Sequence, residues 1–259
     1  PWTPAEADLR GATASCEDVT LRAAHGLGIG GDDANFGVRV HLDDEATEFS
    51  VPGASLLFPC VRFDDTGMPH VLMVRTEDVE NEDGVIDQHN FIMAARHDGE
   101  HWVIEEIADL KYGLMPKAGV WGYPGKRRHP YLVPDDRGGV WALWERKEPH
   151  DGNTRTCHGV LLGRRFVDGG WGETLRIIEQ PYYDFAPDER GVLGGELIVA
   201  AQRGVPISER GRGEVLLLEV GVDAAAVQPE DEGWDGWSVV DLARREFFAP
   251  PEREVELAG

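Results

Sequence analysis

Apolar residues of this chain recur at every second position over short stretches, and each stretch breaks at an acidic, Gly-containing turn. Val61 and Phe63, Leu132 and Pro134, and Phe185 and Pro187 each precede an acidic pair followed by Gly. A period of two predicts half-buried strands. Asp-Asp-x-Gly predicts turns, because Asp side chains bond the local backbone and Gly accepts a positive φ. A second apolar strand follows each turn, over 71–74, 140–144 and 196–201.

The pattern repeats. Pro59 and Pro130, Asp64 and Asp135, Gly67 and Gly138, and Arg75 and Arg146 all stand 71 residues apart. A third copy over 183–191 carries Asp188, Glu189 and Gly191, and reaches Arg203 four residues late through an insertion at Gly194-Gly195. Each hairpin is followed by another strand pair. Residues 91–97 run into Asp98-Gly99 and Trp102, 159–163 lead to Asp168-Gly169 and Trp171, and 214–220 lead to Asp235-Gly236 and Trp237. Four strands per unit, three times over, predict an all-β chain and a β-propeller of four-stranded antiparallel blades. A β-sandwich is the competing architecture. Residues 50–245 hold the three clear blades. Residues 1–49, where Phe36, Val38, Val40 and Leu42 alternate, hold at least one strand of a closing blade, and 246–259 a last strand or an exit linker. The ring is then a small one of four or five blades, or part of a larger one.

Asp-Gly followed by Trp between the third and fourth strands resembles the Asp-box of bacterial-neuraminidase-repeat propellers, over roughly residues 50–245. The Asp, Gly and Trp are kept; the Ser and Thr of that box are not. In sialidase-like propellers an arginine cluster grips a substrate carboxylate. By that resemblance Arg75, Arg146 and Arg203, which occupy equivalent repeat positions, form a substrate-binding set. Arg suits bidentate carboxylate recognition. The plainer reading pairs each Arg with a blade Asp.

The formal charge is −23, from 48 Asp and Glu against 25 Lys and Arg. Such a surface repels nucleic-acid backbones and anionic membranes. Three cysteines, Cys16, Cys60 and Cys157, do not make a disulfide framework, although one bridge is open to them. No apolar run approaches a membrane span. The chain opens at Pro1 without a Met or a signal-like segment, as a trimmed or excised piece would.

Against this acidity, Lys126, Arg127, Arg128 and His129 stand together just before a blade's first strand. Innermost-strand entrances line a propeller's central pocket, so Arg127 and Arg128 are candidate substrate-binding residues. His129 with Tyr131, and Tyr183 one blade on, are candidate acid–base residues. His/Tyr/Arg sets of this kind occur in propeller-type polysaccharide lyases. Trp121 and Trp141 offer stacking faces for sugars. The plainer reading is a solvated basic loop. His97 and His101 flank an Asp-Gly turn, not a helix face, so a metal site is not expected there. The run Gly26-x-Gly28-x-x-Gly31 lacks the strand–helix setting of a dinucleotide loop. Asp43-Asp44-Glu45 and Glu230-Asp231-Glu232 read as solvated loops or weak calcium sites; no other cofactor is expected.

Two functions follow. One is a propeller that binds or processes an acidic glycan, as a sialidase-like glycoside hydrolase or a polysaccharide-lyase-like enzyme. The other is a non-catalytic accessory propeller attached to a separate enzyme domain, such as a metal-dependent hydrolase, with a further domain or chain completing the ring. Fold alone does not choose between them.

Overall fold

The acidic turns fold as their side chains dictate. Asp64, Asp135 and Asp188 each accept a hydrogen bond at 2.9 Å from the backbone N–H two residues ahead, on Thr66, Arg137 and Arg190. Gly67, Gly138 and Gly191 follow with φ of 80°, 95° and 81°, where an L side chain is strained. The three copies thus share their local geometry.

A computed structural model describes residues 11–31, 33–80, 86–110, 130–150, 153–180, 184–203, 214–222 and 245–247. All regular structure among them is strand, in four successive antiparallel sheets. The first sheet is β1 (Gly11–Cys16), β2 (Val19–Leu27), β3 (Phe36–Leu42) and β4 (Glu45–Phe49). The second is β5 (Ala54–Phe63), β6 (Pro69–Glu80), β7 (Ile86–His97) and β8 (Trp102–Asp109). The third is β9 (Tyr131–Pro134), β10 (Val140–His150) and β11 (Asn153–Val167), with β12 (Gly170–Trp171) and β13 (Leu175–Gln180) both paired to β11. The fourth is β14 (Asp184–Leu193), β15 (Glu196–Arg203), β16 (Glu214–Gly221) and β17 (Arg245–Phe247).

The sequence marks three units; the described residues hold four sheets. The first escapes notice because its β1–β2 turn is the two-residue Glu17-Asp18, without the Asp-Asp-x-Gly signature. The fourth also departs from the repeat. In the second and third sheets the acidic motif is the hairpin turn. In the fourth, pairing skips from Pro187↔Val199 to Val192↔Leu197, so 188–191 bulge out of β14. The turn itself is Gly194-Gly195, with φ of 62° and 87°, as a two-residue hairpin requires.

Buried side chains join neighbouring sheets. Leu21, Val38 and Val40 of the first pack with Val71, Met73 and Met93 of the second. The other face of the second, with Leu72, Val74 and Ile92, packs on Val140, Ala142 and Trp144 of the third. The third's remaining face, with Trp141, Leu143 and Leu161, meets Phe185, Leu197 and Val199 of the fourth. The first strands lie side by side, β1 against β5, β5 against β9 and β9 against β14. Trp102 sits at the first such junction, 5.6 Å from Phe49 of the neighbouring sheet. Trp171 sits at the second, its ring packed on the core shared with the second sheet. Asp98 and Asp168 close the corresponding hairpins with turns of different length, four residues between His97 and Trp102 but two between Val167 and Gly170. Asp235 and Trp237 lie outside the described residues.

Acidic turns also tie sheet to sheet. The Asp65 carboxylate accepts the Gly139 N–H at 2.8 Å, and the Asp136 carboxylate accepts the Gly194 N–H at 2.7 Å. In each case the second acid of one turn reaches the turn of the next sheet. A Cβ at Gly191 would overlap the Pro134 carbonyl, so the third and fourth sheets approach backbone to backbone there. Asp65→Ala and Asp136→Ala are each expected to lower stability by about 0.5–1.5 kcal/mol, because water at these exposed carboxylates discounts the larger worth of a bond to a charged group. Urea unfolding checks this, and their double variant should lose about the sum.

Candidate functional site

The strands give each sheet two ends: one carries the acidic turns, the other the loops that enter the first strands. At the turn end, side chains are consumed by the chain itself. Asp64 and His70 are buried, 8% and 1% exposed, with Nε2 of His70 3.0 Å from Oδ2 of Asp64. Burial works to raise the Asp64 carboxyl, but hydrogen bonds from Thr66, His70 and Met68 outweigh it and hold it below the ordinary carboxylate value. Burial pushes His70 below its ordinary 6.5 against the pull of Asp64, and Arg96 adds to the lowering. The edge of the His70 ring meets Phe166 of the third sheet at 4.8 Å.

The third sheet repeats this plan with other residues. Asp135, whose side chain has 0% exposure, accepts Trp141 Nε1–H at 2.9 Å, and Arg165 Nε lies 2.9 Å from the same carboxylate as an ion pair. Burial again works to raise this carboxyl, and Arg137, Trp141 and Arg165 outweigh it. His70 and Trp141 stand 71 residues apart, the repeat offset, and each supplies a ring N–H to its own turn's Asp. Trp141 is 2% exposed, so it belongs to the core and is not a stacking face for a sugar. Both carboxylates are buried and spent on the chain's own donors.

At the loop end, Arg75 leaves β6 with its guanidinium 4.0 Å above the Phe91 ring, 3.1 Å from Glu106 and 3.6 Å from Glu77. Its partners are glutamates of its own sheet rather than a blade Asp. Arg146 pairs with Val160 in the ladder and Arg203 with Glu214, so all three arginines lie on the second strands of their sheets, towards the loop end. Tyr131 is the first residue of β9, and its hydroxyl donates to the Phe185 carbonyl at 2.9 Å. Buried Glu145 accepts the N–H of the same Phe185. Tyr131 and Glu145 therefore hold the start of β14 through the C=O and the N–H of one residue. Trp121, Arg127, Arg128, His129 and Tyr183 lie outside the described residues, as do Tyr182 and Glu230-Asp231-Glu232.

No family model matches the chain, and no curated protein matches it. Solved structures give distant likenesses. A xylan β-1,4-xylosidase from Bacillus halodurans C-125 aligns at 12% identity and TM-score 0.43, over 86% of this chain and 41% of that one. A Cellvibrio cellulosa α-L-arabinanase complexed with arabinohexaose aligns at 11% identity and TM-score 0.41, over 85% and 76%. A Trypanosoma rangeli sialidase in complex with sialic acid aligns at 12% and 0.40, over 83% and 36%. The chain thus spans well under half the length of the xylosidase and the sialidase.

Other expected features resolve simply. His97 and His101 belong to the Asp98 turn, whose carboxylate accepts the N–H groups of Glu100 at 3.0 Å and His101 at 2.8 Å. Among the described residues no cluster of three or more His, Cys, Asp or Glu could hold a metal. Asp43 accepts the Thr20 N–H at 2.8 Å as part of a turn. Gly28, Gly30 and Gly31 shape the loop between β2 and β3, between two strands and not before a helix. Cys16 and Cys60 are free thiols, and burial pushes the Cys60 thiol up to about 12. No helix among the described residues is long and apolar enough to cross a membrane.

Sequence reasoning missed His70 and Arg62. His70 was findable, because it shares the repeat offset of the turns. Arg62 was not: its guanidinium makes long contacts to the carbonyls of Leu132, at 3.4 Å, and Glu189, at 3.5 Å, in two other sheets. Only the stacking of the sheets reveals them.

Proposed function

We propose that this chain is a carbohydrate-handling propeller module that takes an acidic oligosaccharide at the loop end of its sheets. One observation carries the reading: the two ends divide the chemistry. At the turn end the carboxylates of Asp64, Asp65, Asp135, Asp136 and Asp188 all accept the chain's own donors. At the other end Arg75 is 18% exposed, Arg146 and Arg203 hold the matching strand positions in their own sheets, and in sequence the run 126–129 comes just before β9. In a chain of charge −23 a local cationic zone is a selective attractor for an anion. Arg127 and Arg128 bind the carboxylate, Arg75, Arg146 and Arg203 surround them, and Trp121 stacks on the sugar. His129, Tyr131 and Tyr183 form the proton-transfer set of a hydrolase- or lyase-type step.

One observation favours the accessory reading, in which the module is not catalytic: Tyr131 and Arg75 already have partners in Phe185 and the two glutamates. The ring in either reading is completed by a further sheet from another domain or chain. Ile198 and Leu217, on the face of the fourth sheet turned away from the third, are 37% and 43% exposed, which supports a covering sheet there.

A glycan array of acidic and neutral oligosaccharides at low salt tests the proposal. Uronate- or sialate-bearing glycans should bind and release as salt rises, and Arg128→Ala should weaken binding by about 1.5–3 kcal/mol, the range for a hydrogen bond to a charged group. A folded protein that captures no acidic glycan would leave the accessory reading alone.

A further inference from the structure

We propose that the loop end of the junction between the first and second sheets is a subsite for an uncharged sugar ring, built by His25, Leu27, Phe36 and Phe58 with Asn35 and Ser55 at its rim. This rests on the carbohydrate reading above and adds a ligand class to it. The cationic zone takes the charged sugar, and this subsite takes a neutral neighbour.

The argument starts from the first sheet's buried face. Leu21, Ala23, Val38 and Val40 pack against the second sheet. Side chains alternate along strands, so His25 and Leu27 of β2 and Phe36 of β3 continue that same face. There the cover ends. Leu27 and Phe36 are ladder partners at the strand tips, exposed by 61% and 38%, while Val38, two residues further in, is at 0%. An apolar pair left open at the end of a packed face is a place to receive something.

The second sheet sends towards them a ring that also packs on the core shared with the third sheet. β5 is irregular between Leu57 and Cys60, and Phe58 within that bulge has φ of 53°. Left-handed backbone at an aromatic residue is uncommon, and bulges re-aim side chains at functional rims. Phe58 lies 5.6 Å from His25 at an interplanar angle of 72°, and His25 lies 6.0 Å from Phe36 at 61°. Three rings thus cross from one sheet to the next, edge to face.

The rim supplies hydrogen-bonding groups. Phe36 N–H donates to Ser55 Oγ at 3.2 Å, and Ser55 Oγ–H donates to the Asn35 side-chain oxygen at 3.3 Å. A sugar ring presents C–H faces to aromatic carbon and hydroxyls to amides and alcohols. The six residues carry no carboxylate and no guanidinium, so the set does not select a carboxylated sugar. Ser55 lies at the start of β5 and Phe36 at the start of β3, which places the subsite's rim at the same end as Arg75 and Tyr131.

Calorimetric titration of the whole chain tests this, with neutral hexasaccharides of xylose, glucose and mannose and, separately, an oligogalacturonate. At least one neutral hexasaccharide should bind. Phe36→Ala should weaken it about tenfold or more, the loss of one ring contact, with oligogalacturonate affinity kept within about twofold. Phe36→Leu, which keeps apolar volume but removes the ring, should lose as much and guards against a folding defect in Phe36→Ala. Binding of oligogalacturonate but of no neutral sugar overturns the subsite and leaves the proposed function standing. Binding of neither overturns both. Neutral binding indifferent to both Phe36 variants places the sugar elsewhere and overturns the subsite. Self-association of the wild type that Phe36→Ala abolishes, seen by sedimentation velocity, makes the patch a contact between copies and overturns it too.

Discussion

Asp135→Ala should cost this protein about 3–5 kcal/mol, the loss of a charge-assisted bond together with a buried donor left unpaired. The carboxylate has 0% exposure and accepts from the Arg137 N–H, the Arg137 guanidinium and Trp141 Nε1–H, with the Arg165 guanidinium beside it as an ion pair. Without it the Trp141 N–H is left unpaired in the core between the third and fourth sheets, where the residue is 2% exposed. Asp188→Ala should cost no more than about 1 kcal/mol, the worth of its one turn bond, although the two aspartates look alike in sequence. Asp188 pairs with Arg190, whose side chain is 68% exposed, and water replaces that interaction at little cost. Urea unfolding of both variants measures the contrast. Equal losses would mean that the copies of the turn bear load alike.

Stability should also fall on acidification, beginning near pH 6.5. Native His70 binds its proton less readily than an unfolded histidine, because burial disfavours the charged ring and Arg96 repels it. Between that lowered value and 6.5 the unfolded chain is the more protonated state. Stability is therefore full above pH 6.5 and declines as pH drops through this window. Asp64, also lowered, adds a second loss that begins only below 3.8. The groups facing His70 are Asp64 from its own turn, Arg62 and Arg96 from the flanking strands, and Phe166 and Trp171 from the third sheet. Each kcal/mol lost lowers Tm by roughly 2–4 °C in a chain of this size. His70→Gln keeps a donor for Asp64 without a titrating ring. Its Tm should vary less between pH 7 and 5 than that of the wild type, even if lower throughout. An identical slope would assign the acid sensitivity to other groups.

What the sequence conveyed was local chemistry. Asp-acid-x-Gly, with Asp in two copies and Glu189 in the third, fixed an Asx turn and a positive φ in all three, because both depend on residues within four positions of each other. Trp102 and Trp171 could be placed between sheets because the repeat fixed where each falls. The fourth sheet broke the analogy because Gly194-Gly195 offers a better two-residue turn than the acidic motif, which then bulges. His70 and Trp141 hid a shared role behind unlike side chains, since the repeat conserves a ring N–H donor rather than a residue type. The bonds from Asp65 to Gly139 and from Arg62 to Glu189 depend on how sheets stack, which no local pattern encodes. Of the candidate site, the sequence mistook Trp141 for a ligand platform, when that ring belongs to the core.

The division between a self-satisfied turn end and a loop end proposed to receive the ligand is the core of the functional account. Hydrogen–deuterium exchange of the whole chain, with and without a saturating oligogalacturonate, tests it most directly. Protection should appear in peptides covering 75–80 and 125–131, and exchange at the turns 64–68 and 135–139 should stay unchanged. Protection at those turns with none at the loop end would contradict it.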